Sequence, residues 1–366
     1  MNISKIDLFN ICIPLIRSFE TSFGCIKERP AIIIKMTADD GAVGYGESSP
    51  LSVPISEPET ASTGMAFLRE YAPKLLGAPI ASDYDITALY PSDTHPVSRI
   101  GLEGAYLDLL ARAVKVTIAE YFGASTPRVP AAESASLRDT PEEVIHEVEE
   151  YLTHGVKRIK VKIAPGQDRS IIDAVHRAFP GLCFGLDANM AYSKDDIAHL
   201  GSFSADHITF IEQPFHADDY ESHALLRQEG LTICLDETVR DLETCRKAIT
   251  FGSCDMVNIK PARIGSFAEA KRIHDECVAS GIRLFGGGRL ETGVGKTMNA
   301  AFYALSGFTE ASDITPPTEY LLADIITPPF SIFGGYYDIP TGPGIGVSVD
   351  EEVMKNFLKE TFVVEA

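Results

Sequence analysis

Three observations predict an α/β fold, in which a parallel (β/α) barrel follows a smaller α+β domain. Short apolar runs alternate with helix-length segments from Val129 onward, a pattern typical of consecutive βα units. Eight strand positions fall within about 200 residues, as a closed barrel of this class requires. The opening 125 residues lack this alternation and predict a small sheet followed by a helical pair.

The α+β domain begins with a predicted strand over residues 3–13, where apolar and polar residues alternate. Residues 31–48 predict two further strands joined by an Asp-Asp-Gly turn. The segment 18–30 between them fits two interpretations equally well, a mobile loop that covers a site or an ordinary hairpin connection. Helices are expected at about 57–76 and 98–122.

The barrel begins with a strand expected in residues 129–137. The following Thr140-Pro141-Glu142-Glu143 combines an N-cap, a first-turn proline and a glutamate three residues after the cap, which predicts a helix start. Five βα units come next, and residues 281–288 predict a seventh strand. A helix around 294–306 then leads to an eighth strand near 307–313.

The chain after Asp313 is rich in proline and glycine and is too long for one barrel element. We expect this tail to return to the N-terminal domain and to end in a polar helix from about Asp350. The predicted division is therefore an α+β domain over 1–125, a barrel over 126–325 and a tail over 326–366.

Composition limits the partners and the compartment. The 366 residues are 45% hydrophobic and 23% charged, which is ordinary for a soluble enzyme. A net charge of -20 argues against nucleic acid and anionic membranes as partners. Lys5 and Asp7 interrupt the N-terminal apolar stretch, which indicates a strand and not a signal peptide. Seven cysteines without a CxxC pair predict free thiols and a cytoplasmic protein, and a homo-oligomer is compatible with the sequence.

Five charged residues follow one another at intervals of 25, 25, 24 and 24 residues, each at or near the end of an apolar run. Because the strand ends of a parallel barrel share one mouth, these side chains are expected to meet there. An acidic residue at one strand end commonly only caps the next helix, but three at a constant spacing between lysines favour a site. The five are Lys162, Asp187, Glu212, Asp236 and Lys260.

The three acidic residues predict a magnesium site, with Mn²⁺ as the alternative ion, because hard cations prefer carboxylate oxygens. No His or Cys stands at these positions, which disfavours zinc. Asn189 shares a strand face with Asp187 and is equally compatible with a hydrogen bond to the lysines or with the start of a loop.

The lysines predict a base. Lys160 and Lys162 share one face of an apolar run, and Lys260 comes from a strand on the other side of the barrel. Desolvation and a nearby cation lower the pKa of a buried lysine, which makes it a usable base near neutral pH. The predicted chemistry is removal of a proton next to a carboxylate, with Mg²⁺ balancing the charge that develops.

These residues lie in motifs that resemble the enolase superfamily, muconate-lactonising-enzyme subgroup. Within it the chain is most similar to the o-succinylbenzoate synthase and N-acylamino acid racemase branch, through the segments 21–24, 260–263, 287–293 and 340–344. The superfamily motifs are Lys160-Val161-Lys162, Asp187-Ala188-Asn189, Glu212-Gln213-Pro214, Asp236-Glu237 and Asn258-Ile259-Lys260-Pro261.

The resemblance implies a modified enolase barrel with a capping domain completed by the C-terminal tail. It implies that Lys162 is the base, that Lys160 lowers its pKa and that Lys260 stabilises the enediolate or acts as a second base. It assigns Mg²⁺ to Asp187, Glu212 and Asp236. A small carboxylate substrate would contact a further set of residues: Ser134, Asn189, Arg289, Glu291, Asp313, and Thr21 and Phe23 in the segment 18–26.

The activity implied first is o-succinylbenzoate synthesis by dehydration, a lyase reaction of the menaquinone pathway. The alternatives are racemisation or epimerisation of an N-acylamino acid, cycloisomerisation, and a catalytically idle binding module. Arg289 stands where the family usually has Met, which leaves the substrate open. Asp313-Ile314-Thr315 lacks the second acid of the Asp-x-Asp pattern, which disfavours dipeptide epimerisation.

Overall fold

An antiparallel sheet of four strands forms the N-terminal part of the computed structural model, in the order β15-β1-β2-β3. The structure describes residues 1–21, 24–54, 58–203 and 207–366, with backbone only for 19–21 and 24. Its first elements are β1 (Ile3–Thr21), β2 (Gly24–Ala38), β3 (Val43–Ser48), α1 (Ala61–Tyr71), α2 (Pro96–Val114) and α3 (Ile118–Phe122), with 3₁₀ turns at Ala72–Leu75 and Ile86–Leu89.

The segment between the first two strands continues their pairing. β1 and β2 remain paired antiparallel as far as Thr21 opposite Gly24, with a shift of register between Pro14 and Phe19. Of the two interpretations of residues 18–30, the described backbone therefore matches the hairpin connection. Ser22 and Phe23 lie outside the described residues, so the predicted substrate contact of Phe23 stays a prediction.

The helix expected over 98–122 is two helices. Lys115 ends α2 in the left-handed conformation, with φ of 59°. Thr117 then starts α3 with a capping box, because its hydroxyl accepts from the Glu120 backbone and Glu120 accepts from the Thr117 backbone. The Thr-x-x-Glu spacing was the sequence signal for this second start.

The barrel consists of eight parallel strands in the order β10-β9-β8-β7-β6-β5-β4-β11. A hydrogen bond from Gly286 N to Ser312 Oγ, 2.9 Å long, links β10 to β11 and brings the barrel close to closure. The strands are β4 (Arg128–Ala135), β5 (Arg158–Lys162), β6 (Phe184–Asp187), β7 (Ile208–Glu212), β8 (Ile233–Leu235), β9 (Met256–Ile259), β10 (Arg283–Gly286) and β11 (Ser312–Asp313).

Helices on the outer side alternate with these strands, so the predicted fold class is confirmed. The predicted helix at 294–306 is α11, and the eighth strand is shorter than the predicted 307–313. The helices are α4 (Pro141–Thr153), α5 (Asp168–Ala178), α6 (Ile197–Gly201), α7 (Tyr220–Gln228), α8 (Leu242–Phe251), α9 (Pro261–Ile264), α10 (Phe267–Ala279) and α11 (Gly293–Tyr303), with 3₁₀ turns at Lys194–Asp196 and Pro317–Glu319.

The barrel interior below the mouth is filled by a separate buried cluster of Phe210, Cys234, Met256 and Phe285. This apolar layer forms a floor, above which the charged strand ends project. No described helix has the length and apolar character needed to span a membrane.

The tail returns to the N-terminal sheet, but it ends differently from the prediction. The helix expected from about Asp350 covers only one short turn, and the chain then forms a strand paired antiparallel with β1. That strand is largely exposed at a sheet edge, so its residues carry little apolar alternation. The tail elements are β12 (Ile326–Thr327), β13 (Tyr336–Asp338), β14 (Ser348–Val349), α12 (Glu351–Lys355) and β15 (Leu358–Glu365).

Candidate active site

The five charged residues predicted from their spacing come together at the carboxyl ends of the barrel strands. The register places Lys162 beside Asp187 and Asp187 beside Glu212 on neighbouring strands. Asp236 directly follows β8, and Lys260 directly follows β9. Three strands separate β5 from β9 in either direction around the barrel, so Lys162 and Lys260 stand on opposite sides of its mouth.

Lys162 is held by two side chains from β6 and the loop after it. Its Nζ lies 3.0 Å from Asp187 Oδ2 and also donates to Asn189 Oδ1. The Asn189 amide in turn donates to Glu237 Oε1 at 3.3 Å. Asn189 adopts a left-handed φ of 41°, so it both starts the loop and contacts the lysine, and the two interpretations of this residue are compatible.

Lys160 lies deeper and contacts three carboxylates. Its Nζ is 2.6 Å from Glu212, 2.9 Å from Asp313 and 3.6 Å from Asp187. Burial would lower the pKa of Lys160, but Asp313, Glu212 and Asp187 outweigh burial and hold that pKa well above its ordinary value. Lys160 is therefore a fixed positive charge in this structure.

Lys260 forms the corresponding cluster on the opposite side. Its Nζ lies 2.6 Å from Asp236 Oδ2, and Arg263 donates to both oxygens of the same carboxylate. Burial would raise the pKa of Asp236, but Arg263 and Lys260 hold it well below its usual range. Burial would likewise lower the pKa of Lys260, but Asp236 raises it above its ordinary value.

The pKa values of Lys160 and Lys260 are thus raised in this structure, whereas the lowering was expected for a lysine beside a bound cation and stays a prediction for that state. At these two lysines the paired carboxylates favour the charged ammonium more strongly than burial opposes it.

The three carboxylates nevertheless fit a divalent cation. Their donor set is oxygen only, and all three are buried. Burial raises the pKa of Glu212 to about 7 although Lys160 opposes the shift, and Asp187 and Asp236 raise it further. Lys160 thus compensates the negative charge around Glu212 only in part. Beside it, the Oδ1 of Asn258 is buried without a hydrogen-bond partner among the described residues.

A different trio in the described part of the chain has ligand atoms within 4.8 Å of one another: Glu133, His154 and Glu319. Glu133 alternates with Ser134 on β4, and Ser134 pairs in register with Lys160 at the barrel interior. Glu133 therefore faces outward, away from the mouth. The oxygen-only set at the mouth suits Mg²⁺ better than this mixed set.

The fold and the site have counterparts in known proteins. The Enolase C-terminal domain-like family matches residues 143–353 of the chain. The chain belongs to the enolase superfamily. It is thus an enzyme of a superfamily whose members bind a divalent metal ion.

Superfamily relatives match almost the whole chain. The o-succinylbenzoate synthase of Bacillus subtilis is 34% identical over 361 residues, which cover 98% of this chain and 97% of the relative. The N-succinylamino acid racemase of Thermus thermophilus is 35% identical over 350 residues, 95% of each chain. A solved enolase-superfamily structure from Listeria innocua superimposes with a TM-score of 0.94 at 32% identity, over 100% of this chain and 99% of that one.

Two of the predicted substrate contacts, Asp313 and Glu291, form ion pairs within the protein. Asp313 bridges Lys160 and Arg158, at 2.9 Å from each. Glu291 is buried and lies 3.2 Å from Lys296 Nζ. Each carboxylate pairs with a buried cation, and its contact with a substrate stays a prediction.

The remaining predicted contacts lie around the mouth. Arg289 donates from Nη2 to the Ser49 carbonyl at 3.2 Å, which connects the loop after β10 to the N-terminal domain. Ser134 stands beside Lys160, and its hydroxyl is buried without a partner among the described residues. Thr21 is described through its backbone only, at the end of β1.

Two arginines received no role from the sequence. Arg263 donates to both carboxylate oxygens of Asp236. Arg158 lies below Lys160, with its guanidinium 4.0 Å from the Phe285 ring centroid and bonded to Asp313. Residues 158, 160 and 162 alternate on one strand face, and that period of two was the signal for Arg158.

Proposed function

We propose that this enolase-superfamily enzyme removes the proton α to a substrate carboxylate and proceeds through an enediolate. The observation that supports the proposal is the placement of Lys162 and Lys260 on opposite sides of the mouth, with three buried carboxylates on strands between them. A lysine base with Mg²⁺ is the general pattern of enolase-superfamily sites.

Asp187, Glu212 and Asp236 would hold the ion, Mg²⁺ or alternatively Mn²⁺. When bound, it would supply positive charge against the carboxylates and against the charge that develops on the substrate carboxylate. The chain's own side chains carry out the remaining steps. Their contacts assign a role to each lysine.

Lys162, as the neutral amine, takes the α-proton and becomes an ammonium group. Asp187 and Asn189 hold its nitrogen in place at the mouth. Lys160, fixed by Glu212 and Asp313, adds positive charge beneath it. Lys260 faces the substrate from the other side and stabilises the enediolate oxygens through its own charge.

The proposed reaction is dehydration to o-succinylbenzoate, as in the similar Bacillus subtilis protein, a step of menaquinone biosynthesis in the cytoplasm. After taking the α-proton, Lys162 would return a proton to the departing hydroxyl on the same face. Water and the aromatic product then leave, and the lysine is ready for another turnover.

Racemisation of an N-acylamino acid is the second candidate. The opposed lysines favour it, because one base on each face can remove and return the α-proton with inversion. The similarity to a racemase at 35% identity supports it equally. Cycloisomerisation would use the same residues, so the site alone does not separate the three activities.

The decisive experiment incubates the protein with Mg²⁺ in D₂O, with the cyclohexadiene precursor of o-succinylbenzoate and separately with single enantiomers of N-acylamino acids. Product absorbance, deuterium uptake and chirality are followed. We expect conversion of the precursor without racemisation of the amino-acid derivatives. Exchange with inversion would instead assign the racemase activity. Absence of exchange with every carboxylate, by protein that binds Mg²⁺, would refute proton abstraction and favour a binding module.

A further inference from the structure

Three metal-ligating side chains meet on the outer side of the barrel, where the segment after β11 crosses β4 and α4. Glu133 lies on β4, His154 is the C-cap of α4, and Glu319 ends the 3₁₀ turn Pro317–Glu319. An imidazole nitrogen and two carboxylate oxygens lie within 4.8 Å of one another here.

Glu133 is the buried member, with 3% of its surface exposed. The Thr315 hydroxyl donates to its Oε2 at 2.6 Å, and among the described residues no cationic side chain forms an ion pair with it. A buried carboxylate without a counter-charge is unfavourable unless a cation joins it.

His154 supplies an unused nitrogen beside this carboxylate. Its Nδ1 is buried and makes no hydrogen bond within the described part of the chain. The nearest oxygen of Glu319 is 3.6 Å from Nδ1, which is too long for a hydrogen bond. Two carboxylates and a neutral imidazole carry a net charge of about -2, which a divalent cation would neutralise.

We propose that Glu133, His154 and Glu319 form a second cation site, which takes a transition-metal dication such as Zn²⁺. An imidazole nitrogen combined with two carboxylates suits Zn²⁺ and disfavours Mg²⁺, which prefers oxygen ligands and retains its water. The site is separate from the oxygen-only carboxylates at the barrel mouth.

A cation at this position would fasten the segment after β11 to the barrel. Tyr320, the residue after Glu319, donates from its hydroxyl to the Glu291 carbonyl, and its backbone carbonyl accepts from Ile16 N at 2.9 Å. The segment thus already contacts the loop after β10 and the strand β1. Thr315 already bonds it to Glu133 on β4. Zn²⁺ would extend this attachment to α4 and would stabilise the folded chain.

The test uses the full chain, stripped with a chelator and then kept in excess Mg²⁺ so that the mouth carboxylates are occupied. Zn²⁺ binding is measured by equilibrium dialysis with elemental analysis, and thermal unfolding is recorded with and without Zn²⁺. We expect one Zn²⁺ per chain and a higher midpoint temperature with Zn²⁺. His154→Asn should weaken binding about tenfold or more, since even outer-shell partners of metal ligands matter by 10- to 100-fold.

The matched control is His146→Asn, which changes an exposed histidine on the same helix and should keep both the stoichiometry and the thermal shift. Glu319→Gln removes a second ligand that is one-third exposed, and it should behave like His154→Asn. Unchanged Zn²⁺ affinity in His154→Asn and Glu319→Gln would overturn the proposal, as would absence of Zn²⁺ binding by the unaltered chain. Loss in both variants with retention in the control would establish the site.

Discussion

At the scale of single residues, the barrel mouth is a set of buried ion pairs. Asp187 pairs with Lys162, Glu212 with Lys160, and Asp236 with Lys260. Isolated buried charges would be strongly unfavourable, so this pairing is what lets the chain keep ionised groups at the site before substrate arrives. Each lysine is thereby held at one defined position at the end of a strand.

Replacement of Lys162 by alanine should reduce kcat about 10²–10⁴-fold or more, because a positioned general base contributes that much. The exposed Lys194→Ala is the matched control and should retain activity. Steady-state turnover of whichever substrate the D₂O experiment identifies gives the measurement. Activity of Lys162→Ala within about threefold of the unaltered enzyme would reject this residue as the base.

Arg158→Met should destabilise the chain by about 3–5 kcal/mol, the usual range when one partner of a buried ion pair is removed. Burial would raise the pKa of Asp313, but Lys160 and Arg158 together lower it, so this carboxylate depends on both cations. Urea unfolding measures the change.

The control for this change is Arg283→Met, on β10, where an exposed arginine pairs with Glu310 at 3.0 Å. We expect about 0–1 kcal/mol there. Equal losses in the two arginine variants would contradict a special role for Arg158.

At the scale of elements, the N-terminal domain depends on close contact between β3 and α2. A Cβ at Gly44 would lie 2.3 Å from Leu109 N, and one at Gly46 would lie 2.2 Å from the Gly101 carbonyl. Only glycine lets the strand approach the helix backbone this closely. The glycine spacing in VGYGES therefore has a packing function.

Gly44→Ala should lower the free energy of unfolding by about 1–3 kcal/mol, because the added methyl group overpacks a backbone contact that cannot move aside. The control is Gly181→Ala, where a Cβ meets nothing within 4 Å. Thermal and urea unfolding measure both variants. A Gly44→Ala protein as stable as the control would show that strand and helix can separate at little cost.

At the scale of the whole molecule, two buried glutamates join the N-terminal domain to the barrel. Glu47 on β3 accepts from the backbone of Thr292 and Gly295 at 2.9 and 2.8 Å, at the start of α11. Glu103 on α2 accepts from Phe267 N at 2.9 Å, at the start of α10. Each carboxylate satisfies helix N–H groups that otherwise have no partner.

Because Glu103 is buried, we expect the free energy of unfolding to depend on pH. Burial raises the pKa of Glu103 from its ordinary value of 4.5 to about 7, against opposing hydrogen bonds from Phe267 and Ala268. The folded chain thus holds the proton more tightly than the unfolded chain. The contribution to stability is complete below about pH 4.5 and is lost as the pH rises through about 7, up to about 3 kcal/mol.

Glu103→Gln should flatten this dependence, because glutamine cannot ionise and its carbonyl can still accept from the helix. Urea unfolding between about pH 5 and pH 8 measures the slope. The exposed Glu149→Gln on α4 should keep the slope of the unaltered chain. The same decline in Glu103→Gln as in the unaltered chain would show that other groups cause it.

The sequence by itself determined the barrel and the five charged positions, because each strand end is a local feature and the constant spacing places these ends at one mouth. It also identified the superfamily through the motifs at those ends. Tertiary structure alone decided the pairing of β15 with β1, the bond from Arg158 to Asp313 and the meeting of Glu133, His154 and Glu319. These partners lie more than a hundred residues apart in most cases, and no local pattern encodes which distant groups will share one space. Tertiary structure likewise decided the charge state of Lys160 and Lys260, since it depends on carboxylates contributed by other strands.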